Sequence, residues 1–244
     1  MLADPSLNQH DKLRIGWYAG NSNFAAQRLI SVFCQQATQV LKVDRAIYFG
    51  SSAGGFPALL YSWHHAGSLA LVSNAHTNIA NYYSGHVSDY VALCWPGHDD
   101  VRDLPGTVTD LRTLYGKQVP NNVVFIQNNT DTFHLFNHAI PFLGAITNHD
   151  DRAKITTEMV YPGKTGHGPV WSAIAPWLMA ALTAPSWSAI DLIETRHRLS
   201  QKASPAPATA APKQHMAAGF APADLELAAL LRNAQLPPLP KGAQ

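Results

Sequence analysis

The pentapeptide Gly50-Ser51-Ser52-Ala53-Gly54 is the part of this sequence with the clearest chemical meaning. It fits the pattern Gly-x-Ser-x-Gly in one register, which makes Ser52 the candidate nucleophile. Residues 45–49 form a short run, largely apolar, that indicates a buried strand, and residues 55–61 indicate a helix. A strand, a sharp turn and a helix together form a nucleophile elbow, which projects a serine hydroxyl over a sheet. The pattern therefore predicts nucleophilic chemistry at Ser52.

A serine hydroxyl needs a base to take its proton, and the base needs a carboxylate to orient it. In open parallel sheets such groups follow the carboxyl ends of strands. Asp131 follows a predicted strand at 122–127, and His167 follows the last predicted strand at 155–161. A glycine on each side of His167 leaves its loop free to aim the imidazole. We expect Asp131 to be the orienting acid and His167 the base, with Asp103 the weaker alternative for the acid.

The chain order Ser, Asp, His is that of the α/β-hydrolase fold. Over residues 12–182 the sequence resembles this superfamily. Trp17-Tyr18-Ala19-Gly20 and Gly166-His167-Gly168-Pro169 are loosely similar to a group of bacterial hydrolase-like proteins, some associated with surface-glycan genes. The resemblance implies a serine esterase that forms an acyl-enzyme intermediate without a cofactor. Two alternatives stay open: a hydrolase-like protein with weak or no activity, and a deacylase acting on acylated glycans.

The start of the chain departs from the superfamily pattern. Members usually carry more strands before the elbow, and one of these leads into the loop that supplies the second oxyanion donor. Here 51 residues precede Ser52, which is enough for one strand at 13–18 and one helix from Asn23 to about Val43. An incomplete oxyanion loop is the reason for keeping the weakly active alternative.

Two oxyanion donors are therefore expected from different places. The first is the backbone N–H of Ala53, and the second is expected from the loop Tyr18–Ser22, which includes Ala19. Trp17 and Tyr18 are expected at the mouth of the active site. His76, just after the predicted strand at 68–73, is a candidate for lining the pocket.

Metal ligation is an alternative interpretation of two clusters. Asp131, His134 and His138 share one face of a predicted helix, but their apolar neighbours indicate an ordinary packing helix. The segment His98-Asp99-Asp100 is expected to be a solvated loop. We predict no metal site and no cofactor.

Composition excludes several classes of protein. The chain has 244 residues, 46% of them hydrophobic, and a net charge of +1, so neither a basic field nor a nucleic-acid partner is expected. The first residues lack the pattern of a secretory signal, and the longest apolar run, residues 174–184, is too short to span a bilayer. Two cysteines, both in predicted helices, favour reduced thiols and a cytoplasmic location.

Strands that alternate with helices predict an α/β class. We expect a reduced α/β-hydrolase fold, with a mostly parallel sheet of about five strands flanked by helices, over residues 1–201. Residues 202–244 are expected to form a Pro/Ala-rich linker and a short amphipathic helix. The segment 78–118 is expected to cover the pocket, with a small or polymeric ester as substrate. An open sheet edge favours a homodimer.

Overall fold

A four-stranded parallel sheet organises the protein. The computed structural model describes residues 3–163, 165–168 and 171–203. The strands are β1 Ile47–Ser51, β2 Leu69–Ser73, β3 Asn122–Asn128 and β4 Ile155–Val160, and they lie side by side in chain order. Because all neighbouring strands run parallel, their carboxyl ends meet at one edge of the sheet. The protein thus belongs to the α/β class.

Helices connect the strands. They are α1 Ala26–Leu41, α2 Gly55–Trp63, α3 Ser84–Cys94, α4 Arg112–Tyr115, α5 Thr132–His134, α6 Ile140–Ala145, α7 His149–Arg152, α8 Trp171–Thr183 and α9 Ala189–Ala203. Short 3₁₀ turns occur at Pro5–Gln9, Ser52–Gly54, Ile79–Asn81 and Val101–Asp103, and a π-helical turn at Leu135–Ala139 joins α5 to α6.

The two central strands bury side chains on both faces of the sheet. Ala70, Val72, Val123 and Phe125 pack into one apolar core, which also contains α2 and the segment that follows β2. The alternate residues Leu69, Leu71, Val124 and Ile126 pack into a second core with Ile174 and Trp177 of α8. Side chains alternate between faces along a strand, so an unbroken apolar run needs helices on both sides.

The expectation of about five strands is wrong by one, because the strand predicted at 13–18 is a loop among the described residues. Trp17 and Tyr18 have φ angles of 52° and 54°, in the left-handed region that an extended strand cannot contain. The Oδ2 atom of Asp4 accepts the backbone N–H of Tyr18 at 2.9 Å. The segment is apolar because Leu13 and Trp17 enter the core, and not because it pairs with a strand.

The first helix begins later than its sequence suggests. Asn23 was expected to cap it, but α1 starts after Ala25, and the N–H of Asn23 is bonded to Oδ1 of Asn21. Much of the apolar surface of α1 is exposed, including Leu29, Phe33 and Val40.

The chain divides into two units, residues 1–199 and residues 200–244, of which the second is described only up to Ala203. The sheet lies in the first. The linker was predicted to begin at Lys202, but Lys202 and Ala203 still belong to α9. The rest of the predicted linker and the predicted helix at 224–233 fall outside the described residues. Cys34 and Cys94 lie in α1 and α3, as expected, and both are free thiols. No helix in the described part of the chain combines the length and the apolar character needed to cross a bilayer.

Candidate active site

Ser52 occupies a sharp turn at the carboxyl end of β1. Its φ of 53° is left-handed, a conformation that costs about 1–3 kcal/mol for a residue other than glycine and is concentrated at functional sites. The backbone N–H of His76 holds the turn by donating to the carbonyl of Ser52 at 2.9 Å.

Two glycines are sterically required around Ser52. A Cβ at Gly50 would lie 2.0 Å from the carbonyl oxygen of Gly54. A Cβ at Gly55 would lie 2.4 Å from Cβ of Ala75. A Cβ at Gly54 would meet nothing within 4 Å, so the second required glycine lies one residue beyond the Gly-x-Ser-x-Gly pattern.

Asp131 lies just past the carboxyl end of β3 and is buried. As the N-cap of α5 it accepts the backbone N–H of His134, and its Oδ1 also lies 2.9 Å from Nδ1 of His134. Its Oδ2 lies 2.6 Å from Nδ1 of His167. Burial acts to raise the pKa of Asp131, but the hydrogen bonds from His167 and His134 outweigh it and the pKa is lowered. The carboxylate is therefore ionised, and both imidazoles donate to it through Nδ1–H.

His167 lies in the glycine loop after β4, and two asparagine amides hold that loop. Nδ2 of Asn128 donates to the carbonyl of Gly166 at 2.8 Å, and Nδ2 of Asn74 donates to that of Gly168 at 2.9 Å. These asparagines are buried at the ends of β3 and β2, and Oδ1 of Asn74 accepts the N–H of Asn128. The sheet itself thus positions both sides of His167.

His134 is a functional candidate that the sequence did not reveal as a partner of His167. The two rings stack with centroids 4.3 Å apart and an interplanar angle of 20°. The signal was the spacing of three residues from Asp131, which places His134 at the N3 position of the helix that Asp131 caps. The apolar neighbours of His134 concealed this role.

His76 is buried beside Ser52 and has a defined tautomer. The indole Nε1–H of Trp17 donates to Nδ1 of His76 at 3.0 Å, so that nitrogen carries no proton and Nε2 does. The Nε2 atom lies 3.0 Å from Nε2 of His134 and 3.3 Å from Oγ of Ser52. Burial, with smaller contributions from His138, His134 and His167, lowers the pKa of His76 to about 2.

The structure brings Asp131 and His167 together, but Ser52 is hydrogen bonded to His76 and not to His167 in the described part of the chain. We expected His167 to contact both. The side chain of His167 is 45% exposed. Catalytic hydrogen bonds are often long in the absence of substrate and shorten when it binds.

The loop expected to supply the second oxyanion donor has no N–H available. The backbone N–H groups of residues 18–22 are bonded to Asp4, Gly16, Ser6, Phe24 and Cys94 in turn. The predicted role of this loop, including Tyr18 and Ala19, is therefore wrong as far as backbone donation is concerned. Ala53, by contrast, lies in the first turn after Ser52, where N–H groups have no partner in the helix.

Trp17, expected at the mouth of the active site, lies in the core instead. Trp17 is 1% exposed and packs edge-on against Tyr82 and Tyr90. Ala19 is buried and lines a cleft of about 420 Å³ with Asn21, Phe24 and Trp95. Tyr18 is only partly buried.

One group of described residues could hold a metal ion: Asp131, His134 and His167, with ligand atoms within 4.8 Å of one another. His138, which the sequence suggested, is directed elsewhere, since its Nδ1 accepts the N–H of Thr77. Both oxygens of Asp131 already accept imidazole protons, and Nε2 of His134 faces the proton of His76. A metal ion would have to displace these hydrogen bonds at Asp131 and His134, so the hydrogen-bonded cluster fits a metal poorly.

The other acidic candidates lie apart from this cluster. Asp103 is exposed in the 3₁₀ turn Val101–Asp103. Asp100 caps that turn and pairs with Arg102. Compared with known proteins, the chain matches no family model, no curated protein and no solved structure.

Proposed function

We propose that this protein is a serine hydrolase that cleaves carboxylic esters on a reduced α/β-hydrolase fold. Ser52 is the nucleophile, His167 the base and Asp131 the orienting acid. The observation that carries the proposal is the hydrogen bond of 2.6 Å between Asp131 and His167. It forms at the carboxyl ends of the strands, where Ser52 also lies, on a left-handed turn. Ser52, Asp131 and His167 follow the carboxyl ends of β1, β3 and β4, in the chain order of a Ser-Asp-His triad.

We choose the base from the positions of the imidazole protons of His76, His134 and His167. His76 already carries a proton on the nitrogen that faces Ser52, so it cannot accept another there. The free lone pair of His134 faces that same proton. His167 donates Nδ1–H to Asp131, which leaves the lone pair of its Nε2 to accept a proton, and its side chain is 45% exposed. It is therefore the imidazole of these three that we assign as the base.

The reaction then takes two steps. Oγ of Ser52 attacks the ester carbonyl as its proton moves to Nε2 of His167, and the N–H of Ala53 donates to the oxyanion. The tetrahedral intermediate collapses when His167 gives this proton to the leaving alkoxide. A water molecule, deprotonated by His167, attacks the acyl-enzyme and releases the acid, which restores Ser52 and neutral His167. These steps use no cofactor.

A hydrolase-like protein of low activity is the second candidate. The pairing of every N–H from Tyr18 to Ser22 favours it, because loss of one oxyanion donor lowers the rate by about 10²–10³. The two candidates differ in the rate with an activated ester and not in the identity of the nucleophile.

Labelling with a fluorophosphonate followed by mass spectrometry of the modified peptide tests the proposal. We expect the label on Ser52, and its loss together with p-nitrophenyl acetate hydrolysis in Ser52→Ala. Ser51→Ala is the matched control, because Oγ of Ser51 only donates to the carbonyl of Ser73. Equal hydrolysis by the wild type and Ser52→Ala contradicts the proposal.

A further inference from the structure

His76 lies against the nucleophile but has no proton-accepting role in the proposed reaction. Its ring is buried, and its Nε2 lies 3.3 Å from Oγ of Ser52. Its backbone N–H also holds the carbonyl of Ser52. His76 therefore contacts both the side chain and the backbone of the nucleophile.

A single N–H is directed from this ring toward the reacting centre. Because the indole of Trp17 can only donate, Nδ1 of His76 must accept, and the one proton of the neutral ring is on Nε2. That proton lies between Nε2 of His134 at 3.0 Å and Oγ of Ser52 at 3.3 Å. The two acceptors share it in the absence of substrate.

We propose that His76 is a catalytic residue, whose neutral Nε2–H is the second oxyanion donor and takes the place of a backbone amide from the loop before the elbow. This inference rests on the proposed function. The oxyanion is bonded to the same carbon as Oγ of Ser52, so a donor 3.3 Å from Oγ is within reach of it. A developing negative charge is a stronger acceptor than the neutral imidazole of His134, and it draws the shared proton to itself.

The surroundings of His76 keep the ring neutral, as such a donor requires. The rings of Trp17, Tyr82, His134 and His138 pack against it. Its pKa is lowered by burial first, and then by the imidazoles of His138, His134 and His167. His138 stacks on it with an interplanar angle of 4°. A preorganised donor in a buried site stabilises charge without having to reorganise during the reaction.

Trp17 is the positioning residue for this donor. Its φ of 52° is left-handed, so the backbone is strained at the position that aims the indole N–H at His76. Without that N–H, the ring of His76 is free to carry its proton on Nδ1, where it faces away from Ser52. The strained loop thus acts through His76 and not through its own amides.

The first test uses His76→Leu and His76→Gln with p-nitrophenyl acetate. We expect His76→Leu to lower kcat by about 10²–10³ with a smaller change in KM, because the lost contact forms in the transition state. We expect His76→Gln, which keeps an N–H donor, to recover part of that loss. Both variants should retain the pH dependence of wild-type kcat/KM, since the base is His167. A kcat for folded His76→Leu within threefold of wild type overturns the inference, and so does loss of that pH dependence.

The second test reads the tautomer of His76 directly. Nitrogen-15 NMR of the imidazoles between pH 6 and 8 should show His76 protonated on Nε2 and unprotonated on Nδ1. Trp17→Phe should shift the signal toward a mixture of tautomers and lower kcat severalfold. Trp95→Phe is the matched control, since the buried Trp95 loses an equivalent indole bond, to Oη of Tyr90 at 2.9 Å. Protonation of His76 on Nδ1 in the wild type overturns the inference.

The two proposals fail in different ways. If Ser52→Ala hydrolyses esters as fast as wild type, the proposed function fails, whatever the tautomer of His76. If Ser52 is labelled and required while His76→Leu retains wild-type kcat, only the role of His76 fails. The NMR experiment keeps the inference falsifiable should His76→Leu not fold.

Discussion

His134 and His167 stack face to face at 4.3 Å, and each donates its Nδ1–H to a different oxygen of Asp131. One carboxylate therefore serves both as the cap of α5 and as the partner of the base. The local bond from His134 occupies one oxygen and restrains the carboxylate, so the other oxygen is held toward His167. A structural and a proposed chemical role are combined in one side chain.

Asp131→Asn should lower kcat for ester hydrolysis by about 10³–10⁴. An amide offers one accepting oxygen where the carboxylate offers two, so His134 and His167 cannot both keep their Nδ1–H bonds. Steady-state kinetics with p-nitrophenyl acetate measures the effect. Asp110→Asn is the control, since Asp110 accepts several hydrogen bonds from Asn78 and Arg112 instead. A kcat for Asp131→Asn within tenfold of wild type is inconsistent with its assignment as the acid.

Asn128→Asp should lower kcat by about tenfold or more, with little change in fold. The substitution keeps the oxygen that accepts from Thr130 but replaces the N–H that holds the carbonyl of Gly166 with a second oxygen. Repulsion should then displace His167. Asn81→Asp, which loses an equivalent amide bond to the carbonyl of Asn137, is the control, and circular dichroism checks the fold. Equal kcat values for the two variants would show that the loop needs no such anchor.

Chelation with EDTA should leave ester hydrolysis unchanged. Both oxygens of Asp131 are occupied by imidazole protons, and the proposed steps use no Lewis acid. The measurement is the rate after dialysis against EDTA, with and without added zinc. Loss of activity that zinc restores would identify Asp131, His134 and His167 as metal ligands. It would contradict the assignment of Asp131 and His167 to a Ser-His-Asp triad.

Stability should fall as the pH is lowered below about 6.5. Burial, more than the neighbouring imidazoles, lowers the pKa of His138 to about 3 and that of His76 to about 2, from 6.5. Below pH 6.5 the unfolded chain takes up protons that the folded protein does not, so each histidine reduces the free energy of unfolding by about 1.4 kcal/mol per pH unit. Above pH 6.5 neither contributes a slope.

Urea denaturation at pH 5.0, 6.0 and 7.5 measures this dependence. His138→Gln should reduce the slope below pH 6.5 by about 1.4 kcal/mol per pH unit, because one titrating group is removed. His149→Gln is the control variant, since that side chain is 97% exposed. If His138→Gln has the wild-type slope, His138 is not held neutral in the folded protein.

The α/β class and the places of Ser52, Asp131 and His167 at strand ends followed from the sequence, because apolar runs and glycine-rich turns are local patterns. The same reasoning failed at residues 13–18, where an apolar run becomes a left-handed loop. Local propensity cannot show whether a neighbouring strand is present to pair with this segment. Here the backbone N–H of Tyr18 donates to the side chain of Asp4 and not to a neighbouring strand.

The tertiary structure alone decided where the protons of the imidazoles of His76, His134 and His167 lie. Twelve histidines are visible in the sequence, but their protons are not. The state of His76 depends on an indole 59 residues away in the chain, and that of His134 and His167 on a carboxylate they share. The sequence determined which chemical groups follow each strand. Proton positions depend on hydrogen bonds between distant segments, and these form only when the sheet brings the segments together.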